Sequence, residues 1–240
     1  MVKLMRLLIA ISGCEKYEAA GLHQPMRDTW LPDAVKLGLD YRFFHGKGST
    51  PKEDVVVLNC DDSYDGLIRK FQMKVEWAYR EGYDQVFSCL SDCYVCPERL
   101  IACAHHDYFG SVYTHETFGS YCQGGAGFLL SRKSMFALVS DNLPLRHRDG
   151  TRPPTDTSED AWAGQALLRA NILPMHTANF KVWLAEGGPR KDNLIVTTHL
   201  SYTGEVLGYR PEDMYRLHKE WTDSNGLNQR RDSLRFKRPV

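Results

Sequence analysis

With 240 residues, 42% of them hydrophobic and 25% charged, the chain is long enough to bury a substantial core, and its composition excludes disorder as the main state. Its 30 Lys and Arg balance 30 Asp and Glu, so net charge points to neither nucleic acid nor a membrane as partner. No apolar run approaches the roughly 20 residues of a membrane span, and the opening MVKLMRLLIAISG lacks the long h-region and cleavage pattern of a signal peptide. Leu4–Ser12 instead predicts a buried first strand, ended by Gly13. Met26–Leu37 predicts a helix, Leu39–His45 a strand, and Val55–Leu58 a short apolar strand after the loop GKGSTPKED. Leu67–Glu81 has helical apolar spacing at Leu67, Phe71, Val75 and Ala78, with Gly82 as its stop. Gln85–Leu90 predicts a strand, Pro97–Ala104 a helix with Pro at an early position, and Phe109–Thr114 and Phe128–Leu130 strands. Ser131–Val139 predicts a helix, Leu145–Ser158 a surface loop rich in Pro, Thr and charge, Glu159–Ala170 a helix and Leu194–Thr198 a late strand.

That alternation of strands and helices is the pattern of an α/β sheet with helices on its faces, without internal repeats and without a domain boundary. Seven cysteines, an odd number, and the absence of any N-x-S/T sequon favour a reducing interior and a cytoplasmic location. Only Cys93 and Cys96 have C-x-x-C spacing, too little for a zinc cluster, so the thiols are expected to be buried apolar groups. His105-His106 is expected at the surface, because neighbouring residues of a strand point to opposite faces. The segment 229–240 carries Arg230, Arg231, Arg235, Lys237 and Arg238 against Asp232, a solvated end or a phosphate-binding arm.

Ligands of open α/β sheets bind beyond the carboxyl ends of the strands, where this sequence has Ser12-Gly13-Cys14, Ser91-Asp92-Cys93 and His199. Five segments in order resemble the β-1,3-galactosyltransferase/Fringe family. AISGCEKYEAAGLHQPMRDTW is similar to its opening strand and R-x-T-W element through Arg27, Thr29 and Trp30. Asp54, the strand that follows it and CDDSYDGLIRK resemble D-S-Y-x-N-L-x-x-K through Asp62, Ser63, Tyr64, Leu67 and Lys70, with Gly66 in place of Asn. YDQVFSCLSDCYV stands where the family has its strand and D-D-D motif. YCQGGAGFLLSRKSM matches through Tyr121, Gly125, Gly127, Phe128, Leu130 and Ser131, and SEDAWAG through Glu159, Asp160 and Gly164.

The resemblance, over about residues 7–170, implies a single GT-A type nucleotide-sugar-binding domain: a mostly parallel central sheet flanked by helices. It implies inverting transfer from a UDP-sugar to a hydroxyl acceptor on a glycan or protein. Asp160 matches the family's general base, and inversion needs one well-placed carboxylate. With Glu159 it lies in the first turn of a helix capped by Ser158, where both acids also simply suit the dipole. Ser12, Arg27, Asp62, Lys70, Ser91, Asp92 and Cys93 are the donor-binding candidates, Arg27 and Lys70 because a diphosphate wants fixed cations. Gly124, Gly125 and Gly127 permit close approach of backbone to a donor or acceptor, or form a plain turn; they are no dinucleotide fingerprint. Trp162, Trp183 and Trp221 stack on a sugar or fill the core.

The metal motif departs from the family. Ser91-Asp92-Cys93 keeps one carboxylate of D-D-D, and Cys93 is a soft replacement for an oxygen ligand. Three outcomes follow: metal-independent transfer, weak Mn²⁺ or Mg²⁺ binding through Asp92 and His199, or a non-catalytic nucleotide- or carbohydrate-binding relative. The family's membrane anchor is also missing, which suggests a bacterial or viral cytosolic enzyme or a trimmed chain, and the basic segment raises a further acceptor, a hydroxylated base in DNA.

Overall fold

The structure, a computed structural model, describes residues 5–147, 151, 158–181, 195–200 and 211–235, without the side chains of 64 and 224–235. In chain order the elements are β1 (Leu7–Ser12), α1 (Glu15–Ala19), α2 (Gln24–Asp28), α3 (Trp30–Lys36), β2 (Asp40–His45), β3 (Val55–Val57) and α4 (Leu67–Arg80). They continue through β4 (Gln85–Leu90), β5 (Cys93–Val95), α5 (Pro97–Cys103), β6 (Tyr108–Gly110), β7 (Val112–His115), β8 (Gly119–Cys122), β9 (Phe128–Ser131) and α6 (Arg132–Ser140). The last are α7 (Glu159–Arg169), β10 (Met175–His176), β11 (Phe180–Lys181), β12 (Thr197–His199) and α8 (Pro211–Arg235).

The central sheet has the order β10-β6-β9-β4-β1-β2-β3. β4, β1, β2 and β3 are parallel, and β9 runs antiparallel between β4 and β6. A parallel strand covered on both faces reads as a continuous apolar run, and Leu7–Ile11 is one. Leu7, Ile9 and Ile11 point into a core cluster with Met26, Trp30 and Leu100, while Leu8 and Ala10 join Phe71, Val75 and Trp162 on the opposite face. Helices α2, α3, α5 and α8 thus cover one face of the sheet, and α4, α6 and α7 the other. Two smaller sheets sit beside it, β11-β12-β5 and the β7–β8 hairpin.

The helix expected over Met26–Leu37 is two short helices that meet at Thr29, where φ is −113° and ψ −100°. Pro32 explains the break. In a continuous helix its ring would clash with an interior turn, whereas the break places it in the first turn of α3, where its missing N–H costs nothing. The Thr29 hydroxyl donates to Pro25 O at 2.5 Å. The strand expected over Phe109–Thr114 divides at Ser111, its first half in the central sheet and its second in the hairpin. Gly82 ends α4 with φ +79°, as expected of a helix stop. The seven cysteines are free thiols, and five of them are buried. Among the described residues no helix is long and apolar enough to cross a membrane. The basic segment 229–240 begins on the last turns of α8, with its side chains outside the described residues; Trp183 and most of 145–158 also lie outside the described residues.

Candidate functional site

The parallel strands β1, β2 and β4 end on one edge of the sheet, at Ser12, His45 and Leu90. Beyond β4 the chain turns through Ser91 and Asp92 into β5, which pairs antiparallel with β12 so that Cys93 stands opposite His199. The backbone N–H of Leu200 donates to Asp92 O at 2.9 Å. This pairing carries His199 across 107 residues to Asp92, with Nε2 at 3.1 Å from Oδ2.

Glycines complete the edge. Gly124–Gly127 forms a turn between β8 and β9, closed by the Gly127 N–H donating to Gly124 O at 2.9 Å. Gly127 has φ +76°, and a Cβ there would lie 2.5 Å from Phe87 Cζ, so only glycine fits without displacement. A Cβ on Gly125 would lie 3.0 Å from His199 Nδ1. The Cys93 thiol donates to Gly125 O at 2.9 Å, and the Gly124 N–H donates to Asp160 Oδ2 at 2.9 Å. One loop therefore touches both the Asp92–His199 pair and the acids of α7.

Ser158 serves those acids differently from a standard cap. Its hydroxyl donates to Asp160 Oδ1 at 2.9 Å rather than accepting a helix N–H, and the Ala161 N–H reaches the same oxygen at 2.8 Å. Each carboxylate oxygen accepts about two hydrogen bonds. Oδ1 is thereby filled, while Oδ2, which accepts from Gly124 alone among the described residues, keeps capacity for one more donor such as a hydroxyl. Helix α7 is seated by direct contact: a Cβ on Gly164 would lie 2.4 Å from Tyr121 Cβ, so two motif residues from separate segments meet here. Burial pushes the Glu159 carboxyl up to about 7, and the neighbouring Asp160 charge adds to this while Lys74 opposes it.

Two lysines interrupt the apolar face of α4. Lys74, 1% exposed, donates to Ser12 Oγ at 2.7 Å and Ser88 Oγ at 2.8 Å, and burial lowers its pKa to about 8. Lys70 is also buried, and its ammonium donates to Gly13 O and to Asp62. The Asp62 carboxylate also lies 3.4 Å from the Glu15 N–H. Arg27 is paired with Asp54 and Glu18 and lies 4.6 Å over the Phe43 ring. Arg27 and Lys70 thus have their charges matched by carboxylates inside the protein. Lys70 lies under the strand ends, and Arg27 is tied into the loop before β3.

Of the remaining candidates, Ser91 and Cys93 are buried, and burial raises the Cys93 thiol well above its usual value. Trp162 is 1% exposed; its indole N–H donates to Leu143 O at 2.9 Å and its ring stands edge-on to Phe71. It belongs to the core. Trp221 lies under the Arg99 guanidinium, 3.9 Å from its centroid, far along α8. Among the described residues the donors at Asp92 are one carboxylate, the His199 imidazole and the buried Cys93 thiol, which do not make the oxygen-rich shell that Mg²⁺ or Mn²⁺ takes.

Sequence reasoning missed Lys74, Ser88 and Tyr17. Lys74 had a signal: a lysine one position before Val75 and three after Phe71, inside the apolar stripe. Tyr17 is placed by the fold, where burial and the Asp92 charge raise its phenol.

Neither a protein-family model nor a curated protein matches the sequence. Solved structures do match in fold. A glycosyltransferase involved in the glycosylation of the major capsid of PBCV-1 aligns with a TM-score of 0.52 and 12% identity, over 88% of this chain and 99% of that chain. The catalytic domain of Drosophila β1,4-galactosyltransferase 7, in complex with xylobiose, aligns over 89% of this chain and 80% of that one, with a TM-score of 0.44 and 11% identity. The chain has a GT-A type fold, a mostly parallel central sheet flanked by helices.

Proposed function

We propose that the protein is an inverting glycosyltransferase of the β-1,3-galactosyltransferase/Fringe type, moving a sugar from a UDP-sugar to a hydroxyl on a glycan or protein. The observation that carries this reading is the Gly124–Gly125 loop, which joins Asp160 to Asp92 and His199 at the carboxyl edge of β1 and β4. Ligands of open α/β sheets bind at that edge.

In the proposed reaction Asp160 Oδ2 takes the acceptor's hydroxyl proton as the acceptor oxygen forms its bond to the anomeric carbon. The bond from that carbon to the β-phosphate oxygen breaks, and its electron pair leaves with UDP. Ser158, Ala161 and Gly124 hold the carboxylate in place for this transfer. The donor diphosphate sits over Ser12, Gly13 and Ser91, with Lys74, which donates to Ser12 and Ser88, beneath it as fixed positive charge. No step is assigned to a metal ion, given the donor set at Asp92.

A second reading, a binding-only relative, is favoured by that same donor set: Ser91 and Cys93 are both buried and only Asp92 is a carboxylate. Thermal unfolding with UDP and UDP-sugars, each with Mn²⁺ and with chelator, tests donor binding. A ligand at about 100 times its Kd raises stability by roughly 2.7 kcal/mol. A UDP-dependent shift that survives chelator supports the metal-independent reading, a shift only with Mn²⁺ replaces it with a metal-assisted one, and no shift with any nucleotide removes the donor from the account.

A further inference from the structure

Behind the end of β1, two imidazoles converge in a closed space. His23, just before α2, and His45, the last residue of β2, are both 0% exposed, with ring centroids 5.3 Å apart. His23 Nδ1 lies 2.7 Å from Glu18 Oε2. Glu18 also accepts from Arg27 and Lys52, and although burial alone would raise its carboxyl, these hydrogen bonds hold it down at about 2. An ionised carboxylate at Nδ1 fixes the proton there, so His23 Nε2 carries the lone pair. That nitrogen has no hydrogen-bond partner among the described residues, and neither does either ring nitrogen of His45.

The space between the rings exists because residue 13 is glycine. A Cβ there would lie 2.6 Å from His23 Cε1, 2.9 Å from His23 Nε2 and 2.9 Å from His45 Nε2. Glu18, His23 and His45 each bring one ligand atom within 4.8 Å of the others. Two nitrogens bound to one zinc-class ion at about 2.0–2.1 Å stand at most about 4.2 Å apart, so the two rings would close on the ion.

We propose that His23 Nε2 and His45 Nε2 bind one borderline transition-metal cation of the Zn²⁺ or Co²⁺ class, with Glu18 orienting His23 from its far side. Imidazole nitrogens suit this class and not Mg²⁺ or Mn²⁺, and a carboxylate behind a metal-binding histidine is the usual supporting arrangement. Arg27, Lys52 and Lys70 are offset by Glu18, Asp54 and Asp62, so the neighbourhood is near electroneutral before the ion enters. The ion would tie the end of β1 to β2 and α2. The proposal does not depend on sugar transfer.

The test is Co²⁺ and Zn²⁺ titration of the full chain, followed by visible absorption and metal content after dialysis. The expected result is one ion per chain with a d–d band. In His23→Gln/His45→Gln affinity falls at least about 100-fold, while His105→Ala/His106→Ala leaves it unchanged. Gly13→Ala, which fills the space and removes no nitrogen, weakens binding as well. Because these variants risk misfolding, nitrogen-15 spectra of the wild type provide an independent readout: Co²⁺ should broaden the ring signals of His23 and His45 first. A chain that takes up no ion, so that water alone fills the space, overturns the proposal. Binding lost only with His105 and His106, or Co²⁺ broadening confined to surface histidines, overturns it equally.

Discussion

Asp160 Oδ2 accepts the backbone N–H of Gly124 at 2.9 Å, although the two are 36 residues apart in the chain. The proposed base is thus aimed by a loop that also touches His199, and its other oxygen is already occupied. In Asp160→Asn one of those three donors meets an amide N–H instead of an oxygen, so stability falls by about 1–2 kcal/mol. Loss of the base lowers kcat by about 10²–10⁴ while donor Kd stays within a few fold. Steady-state kinetics together with donor titration check this; a loss of donor affinity equal to the loss of rate would assign Asp160 to binding.

Gly164 tests how α7 is seated. A methyl group there meets Tyr121 Cβ at 2.4 Å, and β8 gives way less readily than a side-chain tip. Overpacking costs about 1–3 kcal/mol, only partly offset by the better helix propensity of Ala. Gly164→Ala therefore loses about 1–2 kcal/mol in urea denaturation, and kcat falls with it because Asp160 rides on the same helix.

The Glu159 carboxyl has a folded pKa raised above its unfolded value by burial and by Asp160. Its contribution to stability is full below about pH 4.5 and is lost as pH rises through about 7. Between pH 5 and 8 the wild type therefore loses stability relative to Glu159→Gln, by on the order of 2 kcal/mol. Lys74 remains protonated in both states over most of that window. In Lys74→Met, which removes an opposing charge, the Glu159 transition moves to higher pH. Urea midpoints across the range read both effects.

Glu18 behaves in the opposite sense. Its folded pKa is depressed, so its contribution is present above about pH 4.5 and is lost as pH falls toward 2. Glu18→Gln leaves Arg27 and His23 partly unmatched in a largely buried cluster, and costs about 3 kcal/mol at pH 7. The gap between variant and wild type narrows as pH is lowered to 3.5; a constant gap would show that packing rather than charge holds this cluster.

Much of the architecture is legible in the residues. Strand β1 announces itself as a continuous apolar run because both of its faces are covered, and α4 through its apolar spacing and Gly82. Asp92, His199, Gly124, Gly125, Glu159 and Asp160 lie together beyond the carboxyl ends of the strands, the place an open α/β sheet offers for ligands. What stays hidden depends on long-range contact. Thr29 breaks a helix because Pro32 needs a first-turn position, a constraint visible in the sequence once the register is known. Arg27 and Lys70 read as isolated cations in the sequence, because the carboxylates that pair with them, Asp54, Glu18 and Asp62, come from other segments. Strand β5 is three residues of ordinary composition that become a strand because β12 pairs with it. The apolar stripe Met214, Leu217, Trp221 that docks α8 is sparse, and its spacing alone does not reveal which face of the sheet it covers.

The central claim is sugar transfer with Asp160 as base, and its most direct measurement is UDP release from a panel of UDP-sugars with hydroxyl acceptors, in chelator, by wild type and Asp160→Asn. The account predicts acceptor-dependent UDP release by the wild type and a loss of about 10²–10⁴ in the variant, with donor binding retained. Donor binding without UDP release from any sugar by the wild type, or full activity in Asp160→Asn, would contradict it.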